Sequence, residues 1–503
     1  MLGKEKLKRS NSMPFAAPKE KNIWLPTAII VAILYSSSIL WGLSKIETYL
    51  YVFLALGFTA YGFIYYKKWV YFLTIGLIPV SVGFELSRTG MNVSTPSELL
   101  EFLLLGIFIV YLLLKGVNKK IFYHPLSILL LLDLIWLIIS SMFSTLPDVS
   151  FKRVLMKLNY LFVFYFLLAE LSYKKPLTGI KPLLFYALGL IYPMYHTLKM
   201  HIHYDFNPKV VFSISAPFYS DHTIYGACLA FITPLLIMAA LRNKKLKINQ
   251  WGAWFFGIIL LLVLVSQALA LSRAAMLSLI VALLFYGLIR LRVHIRFLIG
   301  MLLVLSIGTY AFKDELYGEI SQNEAVSNDG DVMNHVSSVT NVESDASNLE
   351  RINRWVCAWE MFKEKPLTGF GPGTYQFEYA QFQSSQYKTY ISTTHGDRGN
   401  AHSEYLSYLS ETGIVGFILF VVIVFYSIHL GLVNYYNATD PAMKQTILAV
   451  LLGLVTFYFH GIFNAFSDQD KMAFLYYGSL GMLLLADINL KNQIESTQTN
   501  ANF

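Results

Sequence analysis

The chain has 503 residues, 55% of them hydrophobic and only 14% charged, with a mean hydropathy of +0.52. Water-soluble globular chains carry about 25% charged residues, so this composition excludes a soluble fold and makes lipid the main solvent. The formal net charge of +8 does not point to nucleic acid, because the basic residues punctuate apolar runs instead of gathering on one face.

In chain order, a basic tail (1–22) comes first. No small-residue cleavage site follows the first apolar run, so that run reads as a retained helix and not a removed leader. A span of the hydrocarbon core needs roughly 20 apolar residues. Windows of that kind cover Ile23 to Leu43, Thr48 to Tyr66, Trp69 to Phe84, Leu99 to Leu114, Pro125 to Phe143, Leu155 to Leu171 and Pro182 to Leu198. They continue over Thr223 to Leu241, Gly252 to Ser272, Ala274 to Ile289, Phe297 to Phe312, Gly413 to Asn434, Thr446 to Ala465 and Met472 to Ile488. The window from Leu155 is the least regular, since Lys157 and Glu170 sit inside its ends.

The pattern predicts an all-α polytopic membrane protein of about 12–14 transmembrane helices, the lower number applying if short windows are re-entrant. Its parts are a tail (1–22), an N-terminal bundle (23–312), a long polar loop subdomain (313–412), C-terminal helices (413–488) and a second tail (489–503). Lysines and arginines such as Lys67, Lys68, Lys115, Lys119, Lys120, Lys174, Lys175, Arg290 and Arg292 fall on alternate loops, which orients both termini to the cytoplasm. Lys152 and Arg153 run against that trend. Cys228 and Cys357 are too far apart in context to suggest a disulfide framework or a metal cluster.

The loop 313–412 changes character along its length. Residues 313–350 are rich in Asp, Glu, Ser and Asn and bury too little to repay ordering. Beyond them Trp355, Ala358, Trp359 and Phe362 recur at helical spacing, which predicts a short amphipathic helix against the membrane surface or the bundle. Gly369, Gly371, Pro372 and Gly373 then predict a tight turn with close backbone approach, since neither a dinucleotide fingerprint nor a Walker loop has this spacing.

Several residues suit chemistry. Arg273, between apolar helices, is costly near hydrocarbon unless paired or used, so it is either a functional cation or an interfacial anchor. Arg351 and Arg354 open the amphipathic helix, and planar guanidinium forks match phosphate oxygens; a solvated helix start explains them equally. His402, Leu406, Leu409, Gly413 and Gly416 follow at intervals of four and three, which places His402 above a membrane helix on one shared face. A neutral imidazole there accepts a proton from a hydroxyl, and a capping or surface ring is the alternative. His222, beside Asp221, lies at another helix entrance. The Asp-x-Asp pairs Asp329/Asp331 and Asp468/Asp470 offer a weaker divalent-ion reading. Asp133 and His460, inside spans, are the best support for transport.

The segment "HSEYLSYLSETGIVG" resembles the histidine motif of the O-antigen ligase and O-antigen polymerase superfamily, with His402, Ser403, Gly413 and Gly416 at the motif positions. "LSRAAMLSLIVALL", "ERINRWVCAWEMFKEKPLTGFGPGTY" and "HGIFNAFSDQDKMAFLYYGSLGMLL" resemble the same family, so the resemblance runs most clearly from Phe218 to Leu484. It implies a GT-C-like fold in the bacterial inner membrane, with 313–412 as a periplasmic loop subdomain. It also implies transfer of a glycan from an undecaprenyl diphosphate donor to a hydroxyl of a lipid A core, glycan or protein acceptor, with inversion, without a metal and without a cofactor.

In that reading Arg273 and Arg351 hold the diphosphate and His402 activates the acceptor. Arg354, His222, Ser403, Gly413 and Gly416 support substrate binding. Membrane lipid is the remaining partner, and no nucleic acid is involved. An O-antigen or exopolysaccharide polymerase is the alternative within the family, and a polysaccharide transporter or flippase the alternative outside it.

Overall fold

The structure is a computed structural model that describes residues 57, 66–86, 91–241, 248–292, 349–385, 388, 392 and 399–501. The expected spans Ile23 to Leu43, nearly all of Thr48 to Tyr66, and Phe297 to Phe312 lie outside them, as do the tail 1–22, the acidic segment up to 348 and Asp329 with Asp331. The chain divides into two compact units, Met1–Tyr71 and Phe72–Phe503. In the first, the described residues 57 and 66–71 are helical. The second holds every long apolar helix found among the described residues.

The protein is an all-α polytopic membrane protein: among the described residues, nine helices are long and apolar enough to cross a bilayer. In chain order these and their companions are α1 (Ser97–Lys115), α2 (Pro125–Met142), α3 (Pro147–Tyr160, continued by a π-helical Leu161–Leu167 and Leu168–Ser172), α4 (Ile180–Gly189) and α5 (Ile191–His203). They continue with α6 (His222–Ala240), α7 (Gln250–Leu269), α8 (Arg273–Arg290), α9 (349–364), α10 (Glu404–Asn437), α11 (Pro441–His460) and α12 (Asp470–Ala501).

Local chemistry sets the starts. The carboxylate or amide of Asp221, Asn249 and Asp440 accepts a backbone N–H of the first turn of α6, α7 and α11, satisfying donors that hydrocarbon cannot. Proline occupies the first position of α2, α3 and α11, where its missing N–H costs nothing.

Burial sorts the helices into layers. The most apolar windows of α6 and α12 are 83% and 94% buried within the protein, so these two form the centre. Those of α1, α7 and α8 are only 22–28% buried and present Leu113, Leu261 and Leu283 outward, as lipid-facing helices should.

Three expectations need correction. The window Pro182 to Leu198 is two short helices, α4 and α5, with Leu190 between them; Pro193 has no N–H to return to Gly189 and so cannot carry one continuous ladder. The window Trp69 to Phe84 leaves the helix after Leu77, passes a short 3-10 turn at Ile78–Val80, and enters an antiparallel hairpin of β1 (Val82–Leu86) and β2 (Met91–Thr95). The amphipathic helix exists as α9, but its buried face is Asn353, Arg354, Cys357, Ala358 and Met361, while Trp359 is 49% exposed. Reading the tryptophans as the packing stripe rotated the helix by about one residue.

The irregular window from Leu155 resolves physically. The helix starts earlier, at Pro147. Lys157 is neutralised by Asp133 at 2.6 Å, and Glu170 accepts the Tyr111 hydroxyl at 3.0 Å.

Candidate functional site

Helix alternation brings the starts of α1, α3, α6, α8, α10 and α12 and the ends of α2, α7 and α11 to one end of the bundle. Hydrogen bonds join them there. Ser97 Oγ donates to Asp470 Oδ2 at 2.8 Å, Ser140 Oγ to the Thr368 carbonyl at 2.8 Å, and the Glu404 N–H to the Gly461 carbonyl at 2.8 Å. A cavity of about 870 Å³ lies at this end, with His402, Glu404, Glu411, Asp468 and Arg153 in its wall.

His402 is not on the helix. It precedes the cap residue Ser403, whose Oγ accepts from the Leu406 N–H at 3.4 Å. Its φ is +46°, a left-handed conformation costly for a side-chain-bearing residue. The strain is held from both sides: its N–H donates to Asn400 Oδ1 at 2.9 Å, and its carbonyl accepts Trp355 Nε1–H at 3.2 Å. Burial, then the charges of Arg354 and Arg351, push the ring's pKa down to about 3, against a hydrogen bond with Asn464 that favours the protonated form. At neutral pH the ring is therefore an uncharged base.

The expectation that His402, Gly413 and Gly416 share one helix face is overturned by Gly413. Its φ of +68° breaks α10, and a Cβ there would sit 2.1 Å from the Leu367 carbonyl oxygen. The break exists because the 366–373 turn is driven against it. Phe370 and Gly371 N–H groups donate to the Ser410 and Glu411 carbonyls at 3.1 and 2.8 Å, and Ile414 N–H returns to the Pro366 carbonyl at 2.9 Å. Gly416 abuts Thr412 and the Trp136 ring. Ser403, Gly413 and Gly416 thus build the entrance of α10.

The arginines divide by surroundings. Arg354 is buried, pairs through Nε with Glu350 at 2.8 Å, donates to the Asn400 carbonyl at 3.1 Å and covers the Tyr379 ring. It clamps the strand of chain that carries His402. Arg351, one turn earlier on α9, has its pKa lowered by burial and by Arg273, with Asp221 opposing. It remains a cation, since arginine stays protonated even so. Arg273 is the exposed first residue of α8. Arg351 thus feels the charges of Asp221 and Arg273, and its own charge acts on His402. Arg273 and Arg351 stand outside the wall of the cavity that His402 lines.

His222 donates through Nδ1 to the Ala270 carbonyl at 2.8 Å, with Nε2 3.6 Å from Asp221 Oδ1. It ties the start of α6 to the turn before α8. Asp468 pairs with Arg153, whereas Asp470 takes Ser97 and the Lys471 N–H, so the two carboxylates face different partners. Among the described residues there is no group of three or more metal-ligating side chains.

The sequence did not single out Glu404, Glu411 or Arg153 as cavity residues. Glu404 lies against the loop after α11, where Oε1 accepts the Phe466 and Ser467 N–H groups at 2.5 and 2.6 Å. Glu411 Oε1 accepts the Tyr375 N–H at 3.1 Å. The usable signal was Arg153, a basic residue on the wrong side of the charge alternation. Asn464, which lines the cavity and bonds to His460, had no signal in its spacing.

Residues 256–421, which include Arg273, Arg351, Arg354 and His402, match a family model described as O-antigen ligase. Comparison with curated proteins gives no match.

Proposed function

The chain belongs to the O-antigen ligase superfamily, and from that premise we propose that it transfers a glycan from undecaprenyl diphosphate to an acceptor hydroxyl at the periplasmic face of the inner membrane. The observation that carries this reading is the electrostatic coupling of a neutral histidine to Arg351, which is itself coupled to Arg273.

The chemistry follows from those groups. Arg273 and Arg351 bind the donor diphosphate, and guanidinium forks stabilise the charge it gains as it leaves. The acceptor oxygen attacks the anomeric carbon from the opposite face, the carbon–oxygen bond to the diphosphate breaks with inversion, and the hydroxyl proton passes to His402. A diphosphate neutralised in this way departs without a general acid. Arg354 and His222 hold the surrounding chain in place.

Arg273 and Arg351 lie outside the cavity wall, which favours the cavity as the acceptor's side. The opposite helix ends carry Lys115, Lys119, Lys120, Lys174, Lys175, Arg290 and Arg292, which supports that end as cytoplasmic and the cavity end as periplasmic. The polymerase reading uses the same chemistry with a lipid-linked acceptor. Transport gains no support from Asp133 and His460, since Lys157 and Asn464 engage them.

The test is reconstituted full-length protein with an undecaprenyl diphosphate-linked glycan. His402→Ala and Arg273→Ala should each lower product formation by at least about 100-fold while the protein still inserts, in line with the loss of a base or an electrostatic contact. Wild-type turnover in both variants refutes the assignment. In a deletion strain, full-length chains left on the lipid carrier indicate a ligase, and single repeat units a polymerase.

A further inference from the structure

We propose that Asn400 is the positioning residue for His402: its side-chain amide, anchored on the loop after α11, holds the left-handed backbone at His402 and so keeps the ring in the wall of the acceptor cavity. This rests on His402 being the base of the transfer reaction.

Asn400 joins three elements through three hydrogen bonds. Its Oδ1 accepts the His402 N–H at 2.9 Å, its Nδ2 donates to the Ala465 carbonyl at 2.9 Å, and its own carbonyl accepts Arg354 Nη1–H at 3.1 Å. A backbone N–H only donates and a backbone carbonyl only accepts, so both ends of the amide are assigned, and the reverse orientation would lose both bonds. Asn400 lines the same cavity as His402. The chain has little room to rearrange beside it, since a Cβ on Gly399 would run into the Arg354 guanidinium.

The strain at His402 explains why an anchor is needed. At φ +46° the residue is outside the broad allowed regions, and relaxing to φ near −60° would turn its Cβ and ring about the N–Cα bond by roughly 100°. The Asn400 carboxamide opposes that turn by accepting the N–H two residues ahead, the pattern in which a short polar side chain replaces a backbone turn.

The anchor is itself tied down. His402 lies midway between two attachments to one loop, residues 461–469: Asn400 on one side holds Ala465, and Glu404 on the other accepts the Phe466 and Ser467 N–H groups at 2.5 and 2.6 Å. The Glu404 N–H adds a bond to the Gly461 carbonyl at 2.8 Å. Asn400 therefore passes the rigidity of the loop to the His402 backbone, and the base is already in place when an acceptor arrives. A tie that served only to hold the loop would need the bond to Ala465 and not the bond to His402.

The experiment uses reconstituted full-length protein with an undecaprenyl diphosphate-linked glycan. Asn400→Ala removes both side-chain bonds and should lower kcat by about 10- to 100-fold, the cost of misplacing a reacting group by about 1 Å, with donor KM changed less than about twofold. Asn400→Ser gives up the bond to Ala465 but keeps an oxygen that accepts from the residue two ahead. Its kcat should stay within about fivefold of wild type, the net worth of one hydrogen bond. In protein labelled with 15N-histidine, the His402 backbone amide is identified by its loss in His402→Gln. It should be protected from hydrogen exchange in wild type and Asn400→Ser, and lose that protection in Asn400→Ala. Wild-type kcat in Asn400→Ala, equal losses in the two variants, an effect confined to KM, or unchanged exchange at the His402 amide each overturns the proposal. If the alanine variant does not fold, Asn400→Ser decides alone, a loss beyond the fivefold limit counting against it. The exchange measurement needs no turnover, so failure of the transfer reading itself would appear separately, as absence of product from wild-type protein.

Discussion

Removing Lys157 should destabilise the protein far more than removing Lys157 and Asp133 together. Lys157 Nζ is 2.6 Å from Asp133 Oδ2, with side-chain exposures of 12% and 2%, and it also donates to the Tyr408 hydroxyl. At an effective dielectric constant of about 20, two unit charges at that distance attract by about 6 kcal/mol. Desolvation costs several kcal/mol per ion, so the intact pair is close to neutral on balance.

Asp133 Oδ1 has no hydrogen-bond partner among the described residues, which leaves Lys157 as the carboxylate's main compensation. Lys157→Met should therefore cost about 3–5 kcal/mol, the range for an orphaned buried charge. Asp133→Leu with Lys157→Met should return to within about 1 kcal/mol of wild type, because an apolar pair of similar volume suits this site. Apparent Tm of the full chain in detergent, measured for both single variants and the double, reads the coupling directly. If the double variant is as unstable as Lys157→Met, the orphaned carboxylate is not the source of the loss and the reasoning is wrong.

The glycine turn gives a second test: Gly369→Ala places a Cβ 2.3 Å from the Glu411 carbonyl carbon at φ +68°, and the left-handed backbone alone costs about 1–2 kcal/mol. Its Tm should fall, while Gly257→Ala, whose Cβ meets nothing within 4 Å, should leave Tm unchanged; equal values would refute the close-approach account. The rate should be flat from pH 8 to 5, because a base whose pKa is held near 3 stays deprotonated there. Neutralising the clamp with Glu350→Gln and Arg354→Met removes a cation from beside the ring, so the acid limb should move to higher pH; movement to lower pH contradicts the electrostatic assignment. Chelation with EDTA should leave turnover unchanged, and loss restored by magnesium would place an ion among the cavity carboxylates.

Element existence was legible because hydrocarbon imposes a length rule on apolar helices, and α1, α2, α6, α7, α8 and α11 each fall on a predicted window. What the period could not supply was rotation and interruption. On α9 the predicted stripe was Trp355, Ala358, Trp359 and Phe362, yet of these Ala358 faces in and Trp359 faces out, while Cys357 and Met361 complete the buried face, since packing selects shape and not size. At Gly413 the four-and-three spacing suggested continuity, but the 366–373 turn competes for the same carbonyls and wins. His402, Arg273 and Arg351 stood out through residue type and resemblance. Glu404 did not, because its partners Phe466 and Ser467 are more than fifty residues away in the chain, beyond any local pattern.

The proposed chemistry asks opposite things of one small region. The leaving diphosphate needs cations, and the attacking hydroxyl needs a base that those same cations make weaker. The arrangement around His402 answers this by distributing charge: Arg354 is already committed to Glu350 at 2.8 Å, while Arg351 feels Asp221 and the like charge of Arg273. When a dianionic donor sits on Arg273 and Arg351, it screens Arg351, one of the two arginine charges that depress the ring's pKa, and the ring's basicity rises. His402 would thus become a competent base in the loaded enzyme, and remain an inert neutral ring without donor. That coupling predicts an acid limb for kcat at higher pH than the limb for kcat/KM with respect to donor, since the first reports the donor-bound enzyme and the second the free one. Coincident limbs would mean that the arginines and the histidine do not sense the same diphosphate.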